Sequence, residues 1–182
     1  GHDIRLVAHH AKLGPWEGVL GLQSEDGRFS ADGAEAFAPY SHSTQTAVFA
    51  FEELPLAWGR ISLGARMESV QVASSGNPQV ARFVPASRSF NPHSVALGVL
   101  WNARTDWQLT SNLAYTERAP KEYELFANGP HLATNAYEVG NSQFGVEQST
   151  NLDLGLKWKR GANSFQLSAF ANQFNNDVSQ NA

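Results

Sequence analysis

The chain has 182 residues, and its 13 Lys and Arg against 17 Asp and Glu give a formal net charge of −4. This balance argues against a nucleic-acid partner, which would select a basic excess. The absence of cysteine excludes disulfides and thiolate metal sites. No run of about 18 apolar residues occurs, so the sequence contains no transmembrane helix.

Apolar and polar residues alternate with period two along most of the chain, which predicts β-strands. The predicted strands are 3–11, 16–23, 44–53, 61–68, 94–101, 107–116, 152–159 and 164–171. The clearest is 107–116, in which Trp107, Leu109, Leu113 and Tyr115 share one face. The opposite faces are rich in Ser, Thr, Asn, Gln and Gly.

Short and long connections alternate along these eight predicted strands. The long ones are 24–43, 73–92 and 117–149, which would all lie at one rim of an antiparallel up-and-down sheet. Transmembrane β-barrels have this asymmetry of short periplasmic turns and long extracellular loops. A strand from Trp107 to Tyr115 would span roughly 26 Å, or about 20 Å along the normal at a tilt of about 40°. The alternative is a soluble β-sandwich or closed barrel whose apolar face points into a core.

Several segments add a family resemblance. Residues 116–126 read TERAPKEYELF, residues 128–134 read NGPHLAT and residues 145–155 read GVEQSTNLDLG. Together with 29–37, they resemble loop and strand motifs of TonB-dependent outer-membrane receptors. The resemblance implies an extracellular loop motif consisting of Glu117, Arg118, Pro120, Glu124, Leu125, Phe126, Asn128 and Gly129.

The resemblance implies an all-β fold: an antiparallel up-and-down transmembrane β-barrel segment, about eight strands of a larger, 22-stranded barrel with a plugged lumen. We expect residues 1–182 to be a partial barrel domain that lacks the plug and the C-terminal strands. The implied location is the bacterial outer membrane, in contact with the lipid bilayer and lipopolysaccharide. The implied function is uptake of a metal, haem or metal-chelate (siderophore-type) ligand, powered by the TonB system through the missing plug.

Histidine and carboxylate side chains near the long-loop rim suit zinc as the cargo. The NGPHLAT segment resembles the branch that includes zinc receptors, some also linked to haem, so His131 is the first candidate ligand. Glu35 is a weaker partner. His42 and His93 are weaker still, because each opens a predicted strand and could cap it or line the lumen. The alternative for each histidine is an ordinary solvated surface residue.

No hydrolase, zinc-protease or phosphate-loop motif occurs, so we predict that the chain is not an enzyme. We also expect it to need no resident cofactor, with zinc or haem bound only as cargo. The competing hypothesis is a self-contained β-barrel or β-sandwich module for adhesion or carbohydrate binding. The two hypotheses differ in whether Leu109, Leu113, Leu154 and Leu156 face lipid or a core. We also expect Glu117 and Arg118 to form a local salt bridge, and 122–126 to form one helical turn that folds the loop inward.

Overall fold

The structure is a computed structural model that describes residues 1–33, 35–131 and 136–176. Its strands are β1 (His2–His9), β2 (Glu17–Phe29), β3 (Tyr40–Leu56), β4 (Gly59–Gly76), β5 (Pro85–Phe90), β6 (His93–Arg104), β7 (Trp107–Arg118), β8 (Asn128–His131), β9 (Ala136–Val139), β10 (Glu147–Arg160) and β11 (Asn163–Asn175). The helix α1 covers Glu122–Phe126. Among the described residues, no helix is long and apolar enough to cross a membrane.

The main sheet confirms the predicted up-and-down order. Its strands run β1-β2-β3-β4-β6-β7-β10-β11, and every neighbouring pair is antiparallel. Over the described ranges the sheet is open, because β1 and β11 each pair on one side only. An open sheet is expected if these strands form part of a larger barrel.

The strands extend further toward the long loops than the hydrophobic pattern predicted. β3 begins at Tyr40 and β4 continues to Gly76. Residues 40–43 show no apolar alternation, and in β4 the apolar residues change to the other face of the strand at Val70 and Val72. Strand β5, which pairs with the far end of β4, was not predicted from the sequence. Pro92 separates β5 from β6: it has no N–H to donate, but its carbonyl accepts a hydrogen bond from Glu68 N at 3.0 Å.

Most aliphatic side chains in the middle of the main strands share one face of the sheet. In β7 and β10 the register places Leu113 opposite Leu152 and Leu109 opposite Leu156. Leu113 is 48% exposed and Leu154 is 49% exposed, so this face has no packed layer over it. A soluble module would bury these leucines. We call this the outer face, and the polar face that alternates with it the inner face.

The buried hydrophobic residues lie instead at the long-loop end. Val70 and Val72 of β4 project from the inner face and pack with Phe90 and Leu125. The core of the described chain is therefore formed where loops cover the inner face, and the middle of the sheet contributes little to it.

Contact between the outer face and lipid can be tested with a pair of arginine substitutions in the intact protein. Leu154 lies opposite Ser111, midway between Trp107 and Tyr115, so Leu154→Arg places a charge near the bilayer midplane. We expect a loss of about 2–4 kcal/mol in the free energy of unfolding from lipid vesicles. Asn112→Arg, on the inner face of β7, should change it by less than about 1 kcal/mol. Equal effects of the two substitutions would refute lipid contact at Leu154.

Candidate functional site

Three long loops meet at one end of the sheet. Loop A (residues 30–39) joins β2 to β3, loop B (77–84) joins β4 to β5, and loop C (119–146) joins β7 to β10. The short connections 10–16, 57–58, 105–106 and 161–162 lie at the opposite end. This arrangement agrees with the alternation predicted from the sequence.

Loop C is anchored by an ion triad at the ends of β7 and β10. The Arg118 guanidinium donates to Glu124 Oε2 at 2.8 Å and Oε1 at 3.1 Å. It also donates to Glu147 Oε2 at 3.0 Å. Glu124 and Glu147 together raise the pKa of Arg118 above its ordinary value. Charge-assisted bidentate pairs fix geometry strongly, so the triad holds the start of loop C against the end of β10.

The same glutamate organises helix α1. Glu124 Oε2 accepts the backbone N–H of Lys121 at 2.7 Å, which satisfies a donor that the first helical turn leaves free. The turn then directs Leu125, 2% exposed, into the cluster with Val70, Val72 and Phe90. The predicted helical turn that folds the loop inward is therefore present.

The prediction that Glu117 pairs with Arg118 is wrong, because neighbouring residues of a strand point to opposite faces. Arg118 lies on the inner face, whereas Glu117 lies on the outer face, beyond the apolar stretch that ends at Tyr115. His93 Nδ1 lies 2.7 Å from Glu117 Oε2, and Tyr115 Oη donates to Oε1 at 2.7 Å. Burial acts to raise the pKa of Glu117, but hydrogen bonds from Tyr115, the His93 N–H and Gln148 lower it below its ordinary value.

Loops A, B and C are joined into one body, largely through backbone carbonyls. Arg82 of loop B donates from Nη2 to the Ala36 carbonyl at 2.7 Å and from Nε to the Asn128 carbonyl. Asn128 N donates to Phe37 O at 2.8 Å, joining loop C directly to loop A. Asn77 Nδ2 also donates to the Ala31 carbonyl at 3.1 Å.

Two glycines allow this close packing. A Cβ on Gly129 would lie 2.6 Å from the Ala36 carbonyl oxygen, and one on Gly140 would lie 2.7 Å from backbone atoms of Leu125 and Phe126. Gly129 lets the β8–β9 hairpin lie against loop A. Gly140 lets the returning chain lie against the end of α1, where Gly140 N donates to Ala127 O at 2.8 Å.

The predicted metal ligands occupy separate surroundings. The backbone of His131 pairs with Ala136 in the β8–β9 hairpin, but its side chain lies outside what the structure describes. Glu35 is exposed in loop A. His42 lies on the outer face, where its Nε2 is 2.5 Å from Asp26 Oδ2, and His93 is on the same face with Glu117. Within the described ranges, no three His, Asp or Glu side chains are grouped to hold a metal ion.

Sequence reasoning missed Arg82 and Arg88 as loop-organising residues. Arg88 of β5 donates to the Ser142 carbonyl and, at 3.2 Å, to the Phe144 carbonyl of loop C. Both arginines bind backbone oxygens. Every residue has such an oxygen, so the sequence does not indicate which residues the arginines contact. Only their position within a long connection could have singled them out.

Removing the charge of Glu124 tests the anchoring of loop C. Glu124→Gln weakens the contact with Arg118 and the cap on Lys121 N, and we expect a loss of about 1.5–3 kcal/mol in the local stability of the loop. Limited proteolysis of the intact folded protein should then cut within 119–146 at least about tenfold faster. Glu122→Gln, the same change in the same helix but outside the triad, should leave the cleavage rate unchanged. Equal rates for the two variants would contradict this role of Glu124.

Comparison with protein families accords with this architecture. Residues 9–182 match the family described as "TonB dependent receptor-like, beta-barrel". The match includes all the strands from β2 to β11 and all three long loops. Members of this family are located in the bacterial outer membrane and act in TonB-dependent transport. The chain belongs to the TonB-dependent receptor family, as part of its β-barrel domain.

Proposed function

We propose that this barrel segment serves the TonB-dependent uptake of a metal, haem or metal-chelate ligand, with zinc as the first candidate. The observation that supports this most directly is the joining of loops A, B and C into one body over the inner face. A ligand captured there would lie at the extracellular mouth of the lumen. The plug through which the TonB system acts, and the strands that close the barrel, would come from further parts of the receptor.

The β8–β9 hairpin is the proposed carrier of the metal ligand. It is fixed on one side by the hydrogen bonds of Asn128 to Phe37 and Arg82, and Tyr137 Oη donates to Asn128 Oδ1 at 3.0 Å. Because its base is held in place, the hairpin would present His131 at a defined position on the rim. Imidazole is a preferred zinc ligand, and further ligands would come from Glu35 or from the plug.

His42 and His93 have a different proposed role. Each is held by a carboxylate on the outer face, where it would lie at the lipid headgroups and lipopolysaccharide. Neither points into the lumen, so we do not assign them to the cargo site.

Titration of the intact receptor with zinc, and separately with haem, tests the cargo. His131→Ala should weaken zinc binding by about tenfold or more, because one ligand of the metal is lost. His42→Ala is the matched control, since it removes an imidazole that Asp26 holds on the outer face, and it should leave the zinc affinity unchanged. Calorimetry gives the zinc affinity, and haem absorbance gives the haem affinity. Wild-type zinc affinity in His131→Ala would overturn the assignment of His131.

A further inference from the structure

A cationic concavity lies at the end of the sheet opposite the long loops. This open concavity has a volume of about 710 Å³ and lies beside the short connections 105–106 and 161–162. Its charged lining residues are Arg104, Lys157, Lys159 and Asp106. Lys157 and Lys159 alternate along β10 on the inner face, where Asp153 and Gly155 precede them, and both are exposed.

The cations of this concavity have no carboxylate partner within the part of the chain that the structure describes. The nearby Asp106 is already engaged, because its Oδ2 accepts the indole N–H of Trp158 at 3.1 Å. Gln108 and Asn102 hydrogen-bond to each other at 3.0 Å, and neither is charged. The concavity is therefore lined by three cations and by one carboxylate, that of Asp106, which is hydrogen-bonded to Trp158.

Two cations at the other short connections of this end are paired. Arg60 Nη1 lies 3.3 Å from Glu53 Oε1, and Lys12 Nζ lies 3.5 Å from Glu17 Oε2. On the inner face at this end, the described cations without a carboxylate partner are Lys157 and Lys159 of β10, whereas Arg104 lies opposite Trp107 at the turn from β6 to β7. The location and the size of the concavity suit a small anionic ligand, since ligand sites in proteins enclose roughly 300–1,000 Å³.

We propose that this concavity is a wall site for the cargo at the periplasmic end of the lumen, and that the cargo passes it as an anion. The inference rests on the proposed function and narrows it to an anionic metal chelate. The low-dielectric wall of a lumen focuses the field of the charges on it, so the two lysines attract an anion and repel a hydrated zinc dication. Lys157 and Lys159 would bind carboxylates of the chelator while the metal stays coordinated, so no bond is made or broken at the metal.

The test measures uptake of radiolabelled zinc by cells that carry the intact receptor and a working TonB system. Zinc citrate is the anionic probe and zinc bisglycinate the neutral one. The double variant Lys157→Gln/Lys159→Gln should lower the maximal uptake rate of zinc citrate about tenfold while its half-saturating concentration, set at the extracellular loops, is unchanged. Uptake of zinc bisglycinate should change by less than about twofold.

Lys12→Gln is the matched control, because it removes a lysine from another short connection at the same end. It should leave both uptake rates unchanged. Unchanged citrate uptake in the double variant would overturn the proposal. An equal loss for both probes would also overturn it, because the lysines would then hold a protein segment inside the barrel and not the cargo.

A measurement on the wild-type receptor keeps the test decisive if the double variant fails to fold. The preference for citrate over bisglycinate should shrink as salt rises, because screening shortens the reach of the lysine charges. A preference that is independent of salt would overturn the proposal. Failure of the proposed function itself looks different: neither zinc probe would then bind at the extracellular loops of the folded receptor.

Discussion

The pairing of backbone groups in hydrocarbon is the constraint on which this structure depends. No water is present there to satisfy N–H and C=O groups, so each strand must pair with neighbours. The antiparallel ladders join every pair of neighbouring strands from β1 to β11. The two outermost strands have one free edge each over the described ranges, and the proposed remaining strands of the receptor would close them.

Alternation along each strand then separates the environments of neighbouring residues. Glu117 and Arg118 show this most clearly at the end of β7. Glu117 meets His93 and Tyr115 on the outer face, whereas Arg118 meets the loop carboxylates on the inner face. The TERAPKEYELF segment therefore forms the transition from a membrane strand to a loop that packs over the lumen. At the other end, the same alternation places Lys157 and Lys159 on the inner face.

The sequence predicted most of the fold because lipid and lumen impose a simple period-two pattern, as residues 107–116 show. It did not predict the loop-side extensions of β3 and β4. Residues 40–43 of β3 are largely polar, and in β4 the apolar residues change to the inner face at Val70 and Val72. Within the candidate site, the inward turn at 122–126 was predictable from its motif. The pairing of Arg118 with Glu147 and the partners of Arg82 and His93 were not, because these partners come from elements distant in sequence.

Site-directed spin labelling along β7 tests the central claim, that the two faces of each strand contact lipid and lumen respectively. Residues 1–182 contain no cysteine, and single cysteines introduced from 107 to 115 in the intact receptor carry the labels. In a bilayer, oxygen dissolved in hydrocarbon should relax the labels at the odd-numbered positions of this stretch more strongly than those at the even-numbered positions. Oxygen accessibility that does not alternate, or that alternates with the opposite phase, would contradict the account.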